Sequence, residues 1–586
     1  IFNLYQIAIH AHKKVIFTSD MYMDSITLTQ ILKKNGYEKI DDIFVSSEQN
    51  ASKRTGTIYE KILTKLKIDG KNMMHLGDSW ESDVLRAREK KIIAFFYPKT
   101  LECLAFGISD IETTHAFEGY KGRNNHLINF EKGMNFIGNR CAAAIVANEL
   151  YDMPFVSYNK WSEMNASPQF MGYFALGMHL LGFTKWIADK SSKENYEKLI
   201  FIARDGYLPL QAYNIYQKYS GKGPKKNEYF YTSRKAGIPC GITNIKSLYS
   251  IYGLWNTKKL TGKDILNLLS PLLDESKIQT ISQQNLQMEI NNFTQFCTFV
   301  NTVLKNVFDN QKATDFNQKM TVYLKEIFKG KTALVDIGYS GRMQEIIYKL
   351  IGKPVDGFFI HKNEETCLER EDMYGFKIKA FYDFSPSITG GQREVIFSAL
   401  APSCIRYEIS KDKIIPRFEK IEYDYPQFYL INELQKSALK FIEDFCKCFE
   451  DILDNMFMRN VEISYPFEHA MAYMEETDLK MFDCILFEDD IWTGGTVPLS
   501  EQWKENIDYH CLFPYHKIKA ITKHKDCNIE QIKPVINYAW ELYNQKGLEQ
   551  KNIFLKMIFW LFNDYEMFKK RFTEKTIGKV KKNEKR

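Results

Sequence analysis

Through the first hundred residues the apolar positions come in short bursts: Val15–Phe17, Ile43–Val45, Met73–Leu76 and Ile92–Phe96. Such runs are too short for helices and lack the alternation of a half-exposed strand. Each therefore predicts a strand covered on both faces. Between them the apolar spacing changes to three and four residues, in DSITLTQILKKNGY, TGTIYEKILTKLKI and ESDVLRAREKK, which predicts helices. Asp24 stands where an N-cap belongs, and Gly36 where that helix must stop. Strand and helix alternating through short connections predict a parallel sheet with helices on both faces.

After Pro98 the alternation ends, and residues 127–192 carry helical spacing. A second strand–helix pattern follows. EKLIFIARDGY reads as a strand ending at Arg204-Asp205-Gly206, and YLPLQAYNIYQKY as a helix. EYFYTSRKA is a strand ending at Ser233 and Arg234, KTALVDIGYSGRMQEIIYKL a strand, glycine turn and helix, and VDGFFIH a strand. The class is thus α/β: an N-terminal parallel-sheet domain (1–105), a helical connector (106–195) and a second, Rossmann-like α/β domain (196–403). A helical insertion lies within the second domain at about 245–329. From 404 a hairpin, CIRYEISKDKIIPRFEKIEY, precedes a mostly helical region to 568 and a tail over 569–586.

Composition changes this picture in three places. A chain of 586 residues exceeds one hydrophobic core, so several domains are expected. The tail holds nine Lys or Arg against two Glu, a surplus larger than the net +6 of the whole chain, so the remainder is near neutral. That tail is a solvated terminus or a peripheral contact with an anionic membrane face. No basic cluster elsewhere carries interleaved aromatics, so nucleic acid is not an expected partner. Eleven cysteines without paired spacing read as reduced thiols of a cytoplasmic protein. The apolar run 171–188 includes His179 and Lys185 and reads as a buried helix; no secretory signal is legible. The chain opens at Ile1 inside a helical pattern, as a fragment lacking its first segment would.

The polar residues at the strand ends carry the chemistry. Thr18 and Ser19 end the first strand, Lys53 follows the second, and Asp78 and Asp83 follow the third. Singly these are a cap, a surface lysine and two solvated acids. Together, beyond the carboxyl ends of successive parallel strands, they are the types a phosphate site needs. A hydroxyl and an ammonium hold phosphoryl oxygens, and carboxylates hold Mg2+.

In order and spacing, VIFTSDMYM, SSEQNASKRTG and HLGDSWESD resemble the second, third and fourth motifs of the haloacid dehalogenase (HAD) superfamily, over roughly residues 1–105. The longer string is similar to large bacterial members associated with surface-polysaccharide biosynthesis. The resemblance implies a Rossmannoid sheet and a Mg2+-dependent phosphohydrolase acting on a phosphorylated sugar or related precursor. Glycosyltransferases or other polysaccharide-assembly proteins would be its partners. It assigns phosphoryl binding to Ser19, with Thr18 beside it, stabilisation of a phospho-aspartate to Lys53, and Mg2+ to Asp78 with Asp83. It also implies an aspartate nucleophile ahead of the first strand, and no aspartate occurs before Asp20.

A second convergence is expected at Arg204, Asp205, Ser233, Arg234, Asp336 and Ser340, all at strand ends of the second α/β domain. The glycine turn 338–341 would offer free backbone N–H groups to an anion. Two alternatives to the phosphohydrolase stay open. One is a transferase using a phosphorylated or nucleotide-activated donor on that domain, and the other is a non-catalytic HAD-like scaffold.

Overall fold

The computed structural model describes residues 1–106, 136–152, 162–254, 260–382, 390–411, 413–420, 425–474, 476–488, 496–498, 557, 560 and 561. The acid and glycine loop within FEDDIWTGGTVPLS, most of the 499–568 stretch and the basic tail lie outside the described residues. The chain is a mixed α/β protein in two compact units, residues 1–132 with 140–160, and residues 133–139 with 161–586.

The first unit follows the periodicity closely. Helix α1 (Phe2–His10) leads into β1 (Ile16–Ser19), α2 (Ser25–Lys34), β2 (Asp42–Val45), α3 (Thr57–Leu66), β3 (Met74–Gly77) and β4 (Ile93–Phe96). Asp24 caps α2 by accepting from the Thr27 N–H at 2.7 Å. The segment after β3 forms a wide π-helical turn, Trp80–Leu85, before the helical turn Arg86–Glu89.

One expectation is corrected. The strands do not form one continuous sheet: β1 pairs with β2 and β3 pairs with β4, both parallel, and among the described residues no ladder joins the two pairs. They share a core instead, in which Phe44 of β2, Ile58, Tyr59 and Ile62 of α3, Val84, and Ala94 of β4 are buried together. Apolar runs report burial in that core. Which edges meet depends on backbone approach, which the runs do not encode.

The second unit is built on five parallel strands: β5 (Lys198–Ile202), β6 (Lys226–Phe230), β7 (Thr332–Asp336), β8 (Asp356–Phe359) and β9 (Ile378–Ala380). Their order across the sheet is β9-β8-β7-β5-β6. From β5 the chain steps outward to β6, then returns past β5 to β7 and continues the other way. The order therefore reverses between β5 and β7, the position where open α/β sheets leave a crevice at their carboxyl ends. The residues between β6 and β7 are the expected, mainly helical insertion, and their apolar side chains join Ile200, Ile202 and Leu334 in one core.

Around this sheet lie α4 (Gly177–Lys193), α5 (Tyr207–Tyr219), α6 (Asn310–Ile327), α7 (Arg342–Ile351), α8 (Gly390–Phe397), α9 (Tyr425–Cys448) and α10 (Asn460–Tyr473). The predicted hairpin is present as Cys404–Ser410 paired with Lys413–Phe418. The apolar 171–188 run is a buried helical segment, and among the described residues no helix is long and apolar enough to cross a membrane.

Candidate functional site

In the first unit one lysine ties three strand ends together. Its backbone N–H donates to Asp20 at the end of β1, at 2.8 and 3.0 Å to the two carboxylate oxygens, and the Arg54 N–H adds a third bond at 3.2 Å. Its ammonium donates to Asp83 Oδ1 at 2.7 Å, beyond β3. Lys53 itself follows β2. The loop between β2 and α3 is thus strapped to the carboxyl ends of β1 and β3.

Asp83 is the anchor of this arrangement. Its side chain is fully buried, and Oδ1 also accepts from His75 Nε2–H at 2.8 Å while Oδ2 accepts from the Ser79 N–H at 3.0 Å. Burial pushes its carboxyl upward, but the bonds from His75, Lys53 and Ser79 outweigh that and hold it well below the usual carboxylate range. Tyr59 stands over the same oxygen at 3.5 Å and donates to the Ser82 carbonyl at 2.9 Å; burial and the Asp83 charge push its phenol up. Gly77 makes room for the carboxylate: a Cβ there would lie 2.2 Å from Asp83 Cγ.

The remaining sequence candidates sit at the same edge. Thr18 Oγ1 is buried and has no hydrogen-bond partner among the described residues, and Ser19 is half-buried beside it. Asp78, at the end of β3, is half-exposed and pairs with Lys99 at 2.9 Å. Among the described residues no three His, Cys, Asp or Glu side chains cluster as a ready-made metal site. Mg2+ needs only one or two carboxylates when a substrate phosphate supplies further oxygens. Asp78 suits that role. Both oxygens of Asp83 are occupied, so this carboxylate is suited to holding Lys53 rather than a metal.

Asp20, Tyr59 and His75 were not singled out from the sequence. A histidine inside the apolar run Met73–Leu76 is the signal that could have marked one of them, because a buried imidazole needs a partner.

In the second unit, Asp205 stands just beyond β5 and Asp336 is the last residue of β7, the two strands flanking the reversal of strand order. Ser398 Oγ–H donates to Asp205 at 2.6 Å, and the Ile337 N–H to Asp336 at 2.8 Å. Burial raises both carboxyls, and the charge of Asp205 raises Asp336 further. Arg204 and Arg234 are exposed beside them. Ser233 has a structural part, donating to the Cys404 carbonyl at 2.5 Å and capping the next turn through the Ala236 N–H. The Ser340 carbonyl accepts from Arg370 at 3.0 Å. No protein-family model matches the chain, and no curated protein matches it.

Proposed function

We propose that the first unit handles a phosphoryl group as HAD-type phosphohydrolases do, acting with Mg2+ on a phosphorylated sugar or related precursor of surface-polysaccharide biosynthesis. The observation that supports this reading is the strapping of Lys53 to the ends of β1 and β3 through Asp20 and Asp83. A lysine required only for solubility would not be bonded at both its backbone and its ammonium to acids from two other strand ends.

In this reading the Thr18 and Ser19 hydroxyls and the Lys53 ammonium receive phosphoryl oxygens. Asp83, itself fixed by His75 and the Ser79 N–H, holds that ammonium at one place, so little reorganisation is needed when negative charge arrives. Asp78 would hold Mg2+, which supplies charge neutralisation on the phosphoryl oxygens when bound. The aspartate nucleophile implied by the resemblance is not among residues 1–15, so the test on this chain is binding, which does not require it.

Calorimetric titration with inorganic phosphate in Mg2+ should show binding that weakens about tenfold or more in Ser19→Ala and in Asp78→Asn, the loss of one charge-assisted contact each. Both positions are partly exposed, so the variants should stay folded. Phosphate binding that is independent of Mg2+, or unchanged in both variants, would overturn the proposal.

A further inference from the structure

A separate arrangement in the second unit is not used by the phosphoryl chemistry of the first. Phe201 of β5 pairs with Val335 of β7, so Asp336 stands one residue past the last paired position and Asp205 four past it. Ile202 pairs with Phe230 of β6, which puts Arg234 four residues past that pair. Arg204, Asp205, Arg234 and Asp336 therefore share the carboxyl edge of three adjacent strands, at the reversal of strand order. The glycine turn Gly338–Gly341 enters the ten-residue helix α7 at the same edge, with Gly341 at φ +71° as its N-cap.

The two arginines lie near enough to favour the Asp205 carboxylate without pairing with it directly. Among the described residues neither guanidinium lies within ion-pair distance of a carboxylate, and both are exposed. Both carboxyls are partly buried, which pushes them up; the charge of Asp205 raises Asp336 further, and the two arginines draw Asp205 back down. Two carboxyls at the ends of adjacent strands offer several acceptor oxygens, which suits neighbouring hydroxyl groups. Two arginines with free forks suit a phosphate, which they can grip in a planar, two-pronged geometry.

We propose that this crevice binds a phosphorylated sugar, free or as part of a sugar nucleotide, with its phosphate on Arg204 and Arg234 and its hydroxyls on Asp205 and Asp336. The N–H groups opening α7 add a further place for phosphoryl oxygen. This site stands independently of the reading of the first unit.

The experiment is calorimetric titration of the intact chain with ribose 5-phosphate, glucose 1-phosphate, UDP-glucose and inorganic phosphate. At least one of the three sugar compounds should bind more tightly than inorganic phosphate. Arg204→Ala and Arg234→Ala should each weaken that compound about tenfold. Asp205→Asn and Asp336→Asn should remove the advantage of the sugar while leaving inorganic phosphate unaffected. Unchanged far-ultraviolet circular dichroism checks folding, and exposed Arg204 and Arg234 serve if an aspartate variant fails that check. Absence of binding by all three sugar compounds at millimolar concentration would overturn the proposal. So would binding that survives Arg204→Ala and Arg234→Ala but is lost in Ser19→Ala and Asp78→Asn, since that result places the ligand in the first unit.

Discussion

Replacing Asp83 by Asn tests whether one buried carboxylate holds the first site together. The change keeps the shape but removes the charge that faces Lys53 at 2.7 Å and His75 at 2.8 Å. Asp83 is wholly buried and Lys53 is only 14% exposed, so the ammonium left behind cannot recover full hydration without moving. Breaking a buried pair by removing one partner costs about 3–5 kcal/mol. The Asn amide can still accept one bond, which places the expected loss near the lower end, about 3 kcal/mol.

Because the chain has two units, global unfolding need not be two-state. Hydrogen exchange of amides in β3 and the turn after it is therefore the suitable assay. Protection there should fall by about two orders of magnitude, the ratio that about 3 kcal/mol represents. The sign of the pH dependence follows from the depressed carboxyl. Its folded value lies below the unfolded one, so its stabilisation is complete above the ordinary carboxylate range. It is lost as pH falls from there toward the folded value. The wild type should thus lose this local protection on acidification, and Asp83→Asn should lack that component of the pH dependence. A loss below about 1 kcal/mol, or an acid response identical to wild type, would show that Asp83 does not anchor Lys53.

Three further outcomes follow from the same geometry. Asp78→Asn should leave thermal stability within about 1 kcal/mol of wild type, because its pair with Lys99 is largely exposed; calorimetry checks this. Thr261→Ala should cost about 0.5–2 kcal/mol in denaturant titration, since Thr261 and Asp264 form a reciprocal capping box at the start of the helix Gly262–Leu269. Arg393→Met should destabilise the second unit by about 3–5 kcal/mol, because it leaves Glu468, its partner at 2.6 Å, buried without that cation. Restored stability in Arg393→Met/Glu468→Leu, read by the same titration, would show that the penalty belongs to the orphaned charge.

Much of the architecture was legible along the chain. The spacing in YLPLQAYNIYQKY predicts a helix over 207–219, and the structure has α5 over Tyr207–Tyr219. Each of the four N-terminal strands overlaps its apolar run, extending past it by two residues at most. Local periodicity can do this because it records which face of an element is covered. The short β9 was not read, since three residues of mixed character leave no periodic signature.

The site residues were partly legible for a related reason. Strand ends are visible where an apolar run stops, so Ser19, Lys53 and Asp78, and the second set from Arg204 to Asp336, could be placed at carboxyl edges from sequence alone. Their partners could not. That Lys53 is bonded to Asp20 and Asp83, and that Asp83 shares its oxygens with His75 and the Ser79 N–H, depends on contacts between residues four to thirty-three positions apart.

The sequence by itself determined the elements, their alternation and the polar residues that close each strand. Tertiary structure alone decided that the N-terminal strands form two separate parallel pairs. It also set the strand order that reverses between β5 and β7, so that Asp205 and Asp336 come to the carboxyl ends of adjacent strands. The physical reason is the same in each case. Apolar spacing is a one-dimensional record of burial, whereas edge pairing and charge proximity are set by how distant segments approach, and that information resides in no single stretch of the chain.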